Sequence, residues 1–464
     1  MLRIFRGGFD SSLRSGGEEG RYHRHAVSVV SADWVLPVEA PPIEGGAVAF
    51  ENGRIAAVGS VAELGEGTRY EDAAIVPGFV NAHSHLEYAV YAGFGDSLTD
   101  FAEWIRLHTE RKRRIGWEEY IAIARLGAAE SLRSGVTTVG DCSFSGASAV
   151  AMDELGLRGL AYLEVFGADP DEALAQFEEL RLRAEPHLSG RVQLGVSPHA
   201  PYSISPEVYR ACAGLGLPVA THISESESEV RYLLDGGGPW ETIDWLVAPP
   251  GTTGTRLLAR EGLLGPDVLA AHCVVVEPDE IALLAEHDVA VVHCPRSNAY
   301  VGCGIAPLRE LRDAGVRVGV GTDGVSSTPS HDFFDELRAA VMMARARERR
   351  PDALTATQAL ELGTLGSARA LGLDAETGSL RPGKRADIAV VSLTGSPYLP
   401  WEDPAAAVVF GGSPDRVIAT FVDGEARYEK GGMDWHELTA AAHSARRAML
   451  AVPPAAEPVA ALRA

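Results

Sequence analysis

Between residues 73 and 323 the chain repeats one rhythm: a short apolar run, a polar residue at its end, then a stretch with helical spacing. The runs read AAIVPGFVNAHSH, VTTVGD, GLAYLE, VQLGVSPH, PVATH, VLAAH, VAVVHC and VRVGVGTD, eight in all. Continuous apolar runs mark strands buried on both faces, and strands alternating with helices mark a parallel sheet. Eight of them predict an α/β fold with a (β/α)8 TIM barrel. Outside this region the texture changes. HAVSVVSADWVLPVEAPPIEGGAVAFENGRIAAVGS alternates short β-branched runs with Gly, Pro and Asn turns, and GSLRPGKRADIAVVSL and VIATFVDGEARY do so again near the end. These two segments, residues 25–76 and 370–432, predict a small composite β-sandwich domain beside a barrel over 77–369. Residues 1–24 lack the apolar centre of a secretory signal and read as a flexible extension. Residues 433–464 read as one helix, DWHELTAAAHSARRAML, and a disordered Pro/Ala tail.

Charge narrows the partners. The 464 residues carry 64 acidic and 41 basic side chains, a net charge of −23. That field repels phosphate backbones and anionic lipid, which argues against nucleic-acid and membrane partners. No run is long and apolar enough to span a bilayer. The expectation is a cytoplasmic protein acting on a small molecule, with a homodimer left open. Five cysteines, odd in number and without CxxC spacing, read as buried free thiols.

The chemistry lies at the ends of the runs. In a barrel the C-terminal strand ends build the active site. His83 and His85, in VNAHSHLEY, stand two apart on a strand and point the same way. Alone, such a pair reads more often as structural than as a metal site. His222, His272 and Asp323 end three further runs, and imidazoles with a carboxylate suit Zn²⁺ or Fe²⁺ with room for water. Glu225, three residues after His222, falls at a strand-to-helix turn where a carboxylate can shuttle protons. Glu227 and Glu229 read as solvated. His199 ends the fourth run and is a candidate substrate contact.

In PGFVNAHSH (77–85), SPHAPYS (197–203), HISE (222–225), AHC (271–273), CPRSN (294–298) and GTDG (321–324) the chain resembles the amidohydrolase superfamily, specifically its deaminases of nucleobases and nucleosides. The resemblance spans roughly residues 40–430. It implies that His83, His85, His222 and Asp323 bind one divalent metal, zinc or else iron. It further implies that Glu225 protonates the ring nitrogen, that His272 orients the attacking water and that Asp323 takes its proton. Binuclear relatives bridge two metals with a carboxylated lysine at the fourth strand end. Here that run ends in His199, and the three lysines, Lys112, Lys384 and Lys430, lie elsewhere. One metal is therefore expected.

Within this branch, enzymes of methylthioadenosine or S-adenosylhomocysteine usually carry a ribose-binding glutamate after strand 1. FAEWIRLHTERKRRIG (101–116) offers Arg106 and a basic cluster instead. That stretch and CPRSNAYVGCG look more like deaminases of 6-aminodeoxyfutalosine, a benzoate-bearing precursor in menaquinone biosynthesis. Arg106 and Arg296 are the candidates for its carboxylate, because charge-assisted arginine pairs suit carboxylates. Asn298 is a further candidate substrate contact. The expected reaction is hydrolytic loss of the 6-amino group of an adenosine-like nucleoside. Guanine, cytosine or s-triazine hydrolysis on the same scaffold is the main alternative, and a non-catalytic metal-bound assembly protein the second. GVGTDG (319–324) matches the dinucleotide fingerprint GxGxxG, but a loop follows it rather than a helix start.

Overall fold

A computed structural model describes residues 27–395 and 403–451. The expected N-terminal extension and the expected Pro/Ala tail lie outside the described residues.

The eight apolar runs form one parallel sheet. Its strands are Phe79–His85, Val136–Ser143, Arg158–Val165, Val192–Pro198, Val219–Ile223, Val268–His272, Ala290–His293 and Arg317–Val320, each paired with the next in chain order. A two-residue continuation, Asp323–Gly324, pairs in parallel with the first strand at Ser84 and His85 and closes the barrel. Between the two pieces of the eighth strand sits Gly321. A Cβ there would stand 2.7 Å from the backbone N and O of His83, so only glycine lets the strands approach this closely. The GxGxxG match thus spans the eighth strand and its continuation, not a phosphate-binding turn.

The first run serves two sheets. Thr68–Pro77 belongs to the terminal domain and Phe79–His85 to the barrel, with Gly78 as the crossing point. Thr68–Pro77 pairs in parallel with Ser28–Val35 and antiparallel with Ile388–Ser392, joining the two ends of the chain in one eight-stranded sheet. Side-chain alternation divides its faces. Ala73, Ile75, Ile388 and Val390 enter one core, while Ala74, Val76, Ala389 and Val391 join the core that runs into the barrel. Phe50 and Phe421 lie on strands four steps apart, a separation of about 19 Å in a flat sheet. Their ring centroids are 6.3 Å apart, so the sheet folds over on itself around its own core.

Helix Trp435–Ala451 follows the terminal sheet. Its Arg446 donates to the carbonyl of Val90, just past the first barrel strand, which ties this helix to the barrel mouth. No helix among the described residues is long and apolar enough to cross a membrane.

Candidate active site

Four barrel strands bring four imidazoles and a carboxylate to one point. His83 and His85 come from the first strand, His222 from the fifth, His272 from the sixth and Asp323 from the continuation of the eighth. All are buried. His272 and Asp323 hold positive φ of 72° and 60°, and Ser224, beside Glu225, holds 50°. Non-glycine residues enter this region at a cost and gather where side chains must be aimed.

The hydrogen bonds fix which ring nitrogens face inward. His85 Nδ1 lies 2.8 Å from the carbonyl of Cys142, and His222 Nδ1 lies 2.8 Å from the carbonyl of His199. A carbonyl accepts only, so each Nδ1 carries the proton and each Nε2 presents a lone pair. Those two Nε2 atoms are 3.4 Å apart. His83 Nε2 is buried without a hydrogen-bond partner and stands 3.6 Å from Asp323 Oδ1, which lies 3.4 Å from His85 Nε2. Lone pairs pointed at one another in a buried site are repulsive, and only a cation between them reverses the sign. The donor set therefore fits a divalent metal. Its surroundings fit as well: Asp323 Oδ2 accepts from the hydroxyls of Ser297 at 2.6 Å and Ser327 at 2.7 Å, and Oδ1 accepts from the Gly324 amide.

Two carboxyls are tuned in opposite directions. Burial would raise Asp323, but the imidazoles of His83, His85 and His272 around it hold it well below the usual range. Glu225 is pushed well above that range, first by burial and then by the charges of Asp323 and Glu229. Its Oε2 stands 3.6 Å from His272 Nε2. His272 donates from Nδ1 to Asn298 Oδ1 at 2.9 Å, which fixes its ring.

The loop that carries Glu225 is held by an unexpected residue. Glu229 is 1 % exposed and accepts from the backbone amides of Ser224, Glu225 and Ser226. Its expected solvated role is corrected: it caps helix Glu227–Asp235 and pins the turn. Glu227 is exposed, as expected.

Above the cluster opens a cleft with about 680 Å³ of empty space, its solvent-facing mouth included. Tyr88, Trp104, Phe144, Phe166, Tyr202 and Trp245 supply an aromatic lining, and His199 lies among them with Nδ1 2.8 Å from Ser203 Oγ. The expected arginines are not here. Arg106 is exposed on helix Phe101–Lys112 and lines no part of the cleft. Arg296 is engaged elsewhere: its Nε donates to the fully buried Glu336 at 2.5 Å and its Nη2 to the carbonyl of Ser330. Asn298 does not line the cleft either and acts on His272 instead. The cations that do line it are Lys112 and Arg113, and the third strand adds Glu164. A signal for Lys112 exists in the sequence, since Phe101, Ile105, His108 and Lys112 fall at spacings of four, three and four on one helix face. Arg106 falls off that face. Glu164 ends the third apolar run as His85 ends the first.

Known proteins resemble this chain over most of its length. The family model described as "Amidohydrolase family" matches residues 74–427. A 5-methylthioadenosine/S-adenosylhomocysteine deaminase of Symbiobacterium thermophilum is 35% identical over 421 residues, covering 86% of this chain and 93% of the relative. A 5'-deoxyadenosine deaminase of Methanothermobacter thermautotrophicus is 33% identical, covering 86% and 92%. Among solved structures, an adenosine deaminase from Xanthomonas campestris with bound zinc superposes with a TM-score of 0.81 at 28% identity, covering 91% of this chain and 98% of that one.

Proposed function

Since the chain belongs to the amidohydrolase family, and with it to the hydrolases of carbon–nitrogen bonds, we propose that it removes the 6-amino group of an adenosine-type nucleoside. The observation that carries this reading is the meeting of Glu225, His272 and Asp323, whose ligand atoms lie within 4.8 Å of one another at the base of an aromatic cleft. Such a cleft takes a flat heterocycle, and the three groups supply the proton transfers that hydrolysis of a ring-bound amine requires.

His83, His85, His222 and Asp323 would hold one zinc ion, which when bound supplies a Lewis acid that acidifies water at neutral pH. Asp323, kept ionised by the imidazoles, accepts the proton of the attacking water. His272 presents the lone pair of Nε2 to that water, held in place by Asn298. Glu225, kept neutral by burial, donates its proton to the ring nitrogen beside the carbon under attack, which makes that carbon electrophilic. Carboxyls tuned apart in this way divide acid from base work. The proton held by Asp323 then passes to the amino group and the carbon–nitrogen bond breaks to release ammonia. The new hydroxyl gives its proton to Glu225 as it becomes the carbonyl, which returns both carboxyls to their starting states. His199 packs 4.8 Å from Phe166, centroid to centroid, and would border the ring.

The relatives named for methylthioadenosine, S-adenosylhomocysteine and 5'-deoxyadenosine support a nucleoside altered at its 5′ position. For 6-aminodeoxyfutalosine, the substrate favoured on sequence, the arginines first considered give no support. Arg113, which lines the cleft, is the residue that keeps a carboxylate-bearing 5′ substituent among the candidates. The test is product identity: 5'-deoxyadenosine incubated in ¹⁸O water with the zinc-loaded protein should give ammonia and 5'-deoxyinosine labelled at O6. Recovery of the nucleoside unchanged, or cleavage of its glycosidic bond, would count against the proposal.

A further inference from the structure

Two charged side chains in the cleft are unused by the chemistry above. Glu164, near the end of the third barrel strand, is 2 % exposed, and both of its carboxylate oxygens lack a hydrogen-bond partner. An oxygen of Glu164 lies within 4.8 Å of ring nitrogens of His85 and His222, so it stands at the floor of the cleft. Lys112, at the end of helix Phe101–Lys112, is 5 % exposed. Its Nζ lies over the faces of Phe144 and Phe166, 4.3 and 4.6 Å from the centroids, and it makes no hydrogen bond or ion pair among the described residues. Each group feels the other's charge, yet no ion pair closes between them.

A buried carboxylate without donors and a buried ammonium without acceptors are both costly. Unlike Glu87, which accepts from Ser143, Ser145 and Ser148, Glu164 is left open. Any group that enters must offer both donors and acceptors. An anion would meet the charge of Glu164, and an amine that of Lys112. Vicinal hydroxyls satisfy both, since they donate to the two carboxylate oxygens and accept from Nζ. The carbon face of a sugar suits the phenyl rings beside them.

Resting on the nucleoside reading above, we propose that Glu164 and Lys112 together read the vicinal hydroxyls of a ribosyl substituent and so set the preference for ribonucleosides over bases and 2′,3′-dideoxy analogues. A site built to bond hydroxyls rejects ligands that lack them, because its own polar groups are then stranded.

The test measures Kd by calorimetry for inosine and 2′,3′-dideoxyinosine on zinc-loaded wild type, Glu164→Gln and Lys112→Met. The wild type should bind inosine about tenfold or more tightly over the dideoxy compound, and each variant should bring the two within about threefold. A merely structural role would weaken both ligands together and leave their ratio intact. Equal affinities in the wild type, failure of inosine to bind, or a full ratio in Glu164→Gln would overturn the proposal. So would loss of bound zinc from Glu164→Gln in elemental analysis, which would make Glu164 a metal ligand. A wild type that shows the ratio but releases no ammonia from adenosine would instead refute the deaminase reading and leave the hydroxyl site standing.

Discussion

The Nε2 atoms of His85 and His222 face each other across 3.4 Å, while the Nδ1 of each ring donates to a backbone carbonyl. Neither ring can turn its proton inward without giving up that bond. The pair is therefore preorganised for a cation and repulsive without one. Chelation should destabilise the fold, and zinc at a hundredfold excess over its Kd should restore about 3 kcal/mol. Elemental analysis should find one metal per chain, and His222→Ala should lose it. Two metals per chain, or a melting temperature indifferent to chelator, would contradict this.

Glu225→Gln keeps the shape of the side chain and removes its proton. Deamination should fall by about 10²- to 10⁴-fold with zinc content unchanged. Steady-state kinetics beside elemental analysis checks both halves. Near-normal turnover would place the proton donor elsewhere.

Arg296 and Glu336 form a buried ion pair, with side chains 10 % and 0 % exposed. Arg296→Ala strands a carboxylate in the interior and should cost about 3–5 kcal/mol, read by denaturant unfolding. Replacing both partners by apolar residues should recover much of that loss. The ratio of kcat/KM between substrates with and without a 5′ carboxylate should not change in Arg296→Ala. A changed ratio would return this arginine to the cleft.

Glu229 links pH to stability. Burial pushes its carboxyl up from 4.5 to about 7, although three backbone amides pull the other way. In the unfolded chain it ionises in the ordinary carboxylate range. The folded state thus holds an extra proton between those values, and stability falls as pH rises through about 7. The contribution lost is on the order of 3 kcal/mol. Glu229→Gln should show a flatter profile of unfolding free energy between pH 5 and 8 than the wild type. Parallel profiles would show that Glu229 does not titrate in that window.

The barrel and the meeting of imidazoles with a carboxylate at its rim were legible because both depend on local pattern. Eight apolar runs with polar endings determine which residues share one rim, and the two-residue strand period aims His83 with His85. What could not be read depends on partners distant in sequence. Glu229 looks like any helix-start acid until the loop over residues 224–226 folds back onto it. Arg296 looks free until helix Phe333–Glu348 delivers Glu336. Lys112 stands in the run RKRR, which reads as a solvated face, and only its spacing from Phe101, Ile105 and His108 marks it as inward. The run AAIVPGFVNAHSH reads as one strand, yet it divides between two sheets at Gly78, where a Cβ would meet the side chain of Thr137 at 2.1 Å.

Measurement of kcat/KM for ammonia release from one panel of compounds with the zinc-loaded protein separates nucleoside deamination from its rivals. The panel holds 5'-deoxyadenosine, methylthioadenosine, S-adenosylhomocysteine, 6-aminodeoxyfutalosine, adenosine, guanine, cytosine and an amino-s-triazine. An adenosine-type nucleoside should lead by about 10²-fold or more over every free base and triazine, as expected of a site that bonds hydroxyls. Guanine, cytosine or the triazine leading by that margin would contradict nucleoside deamination.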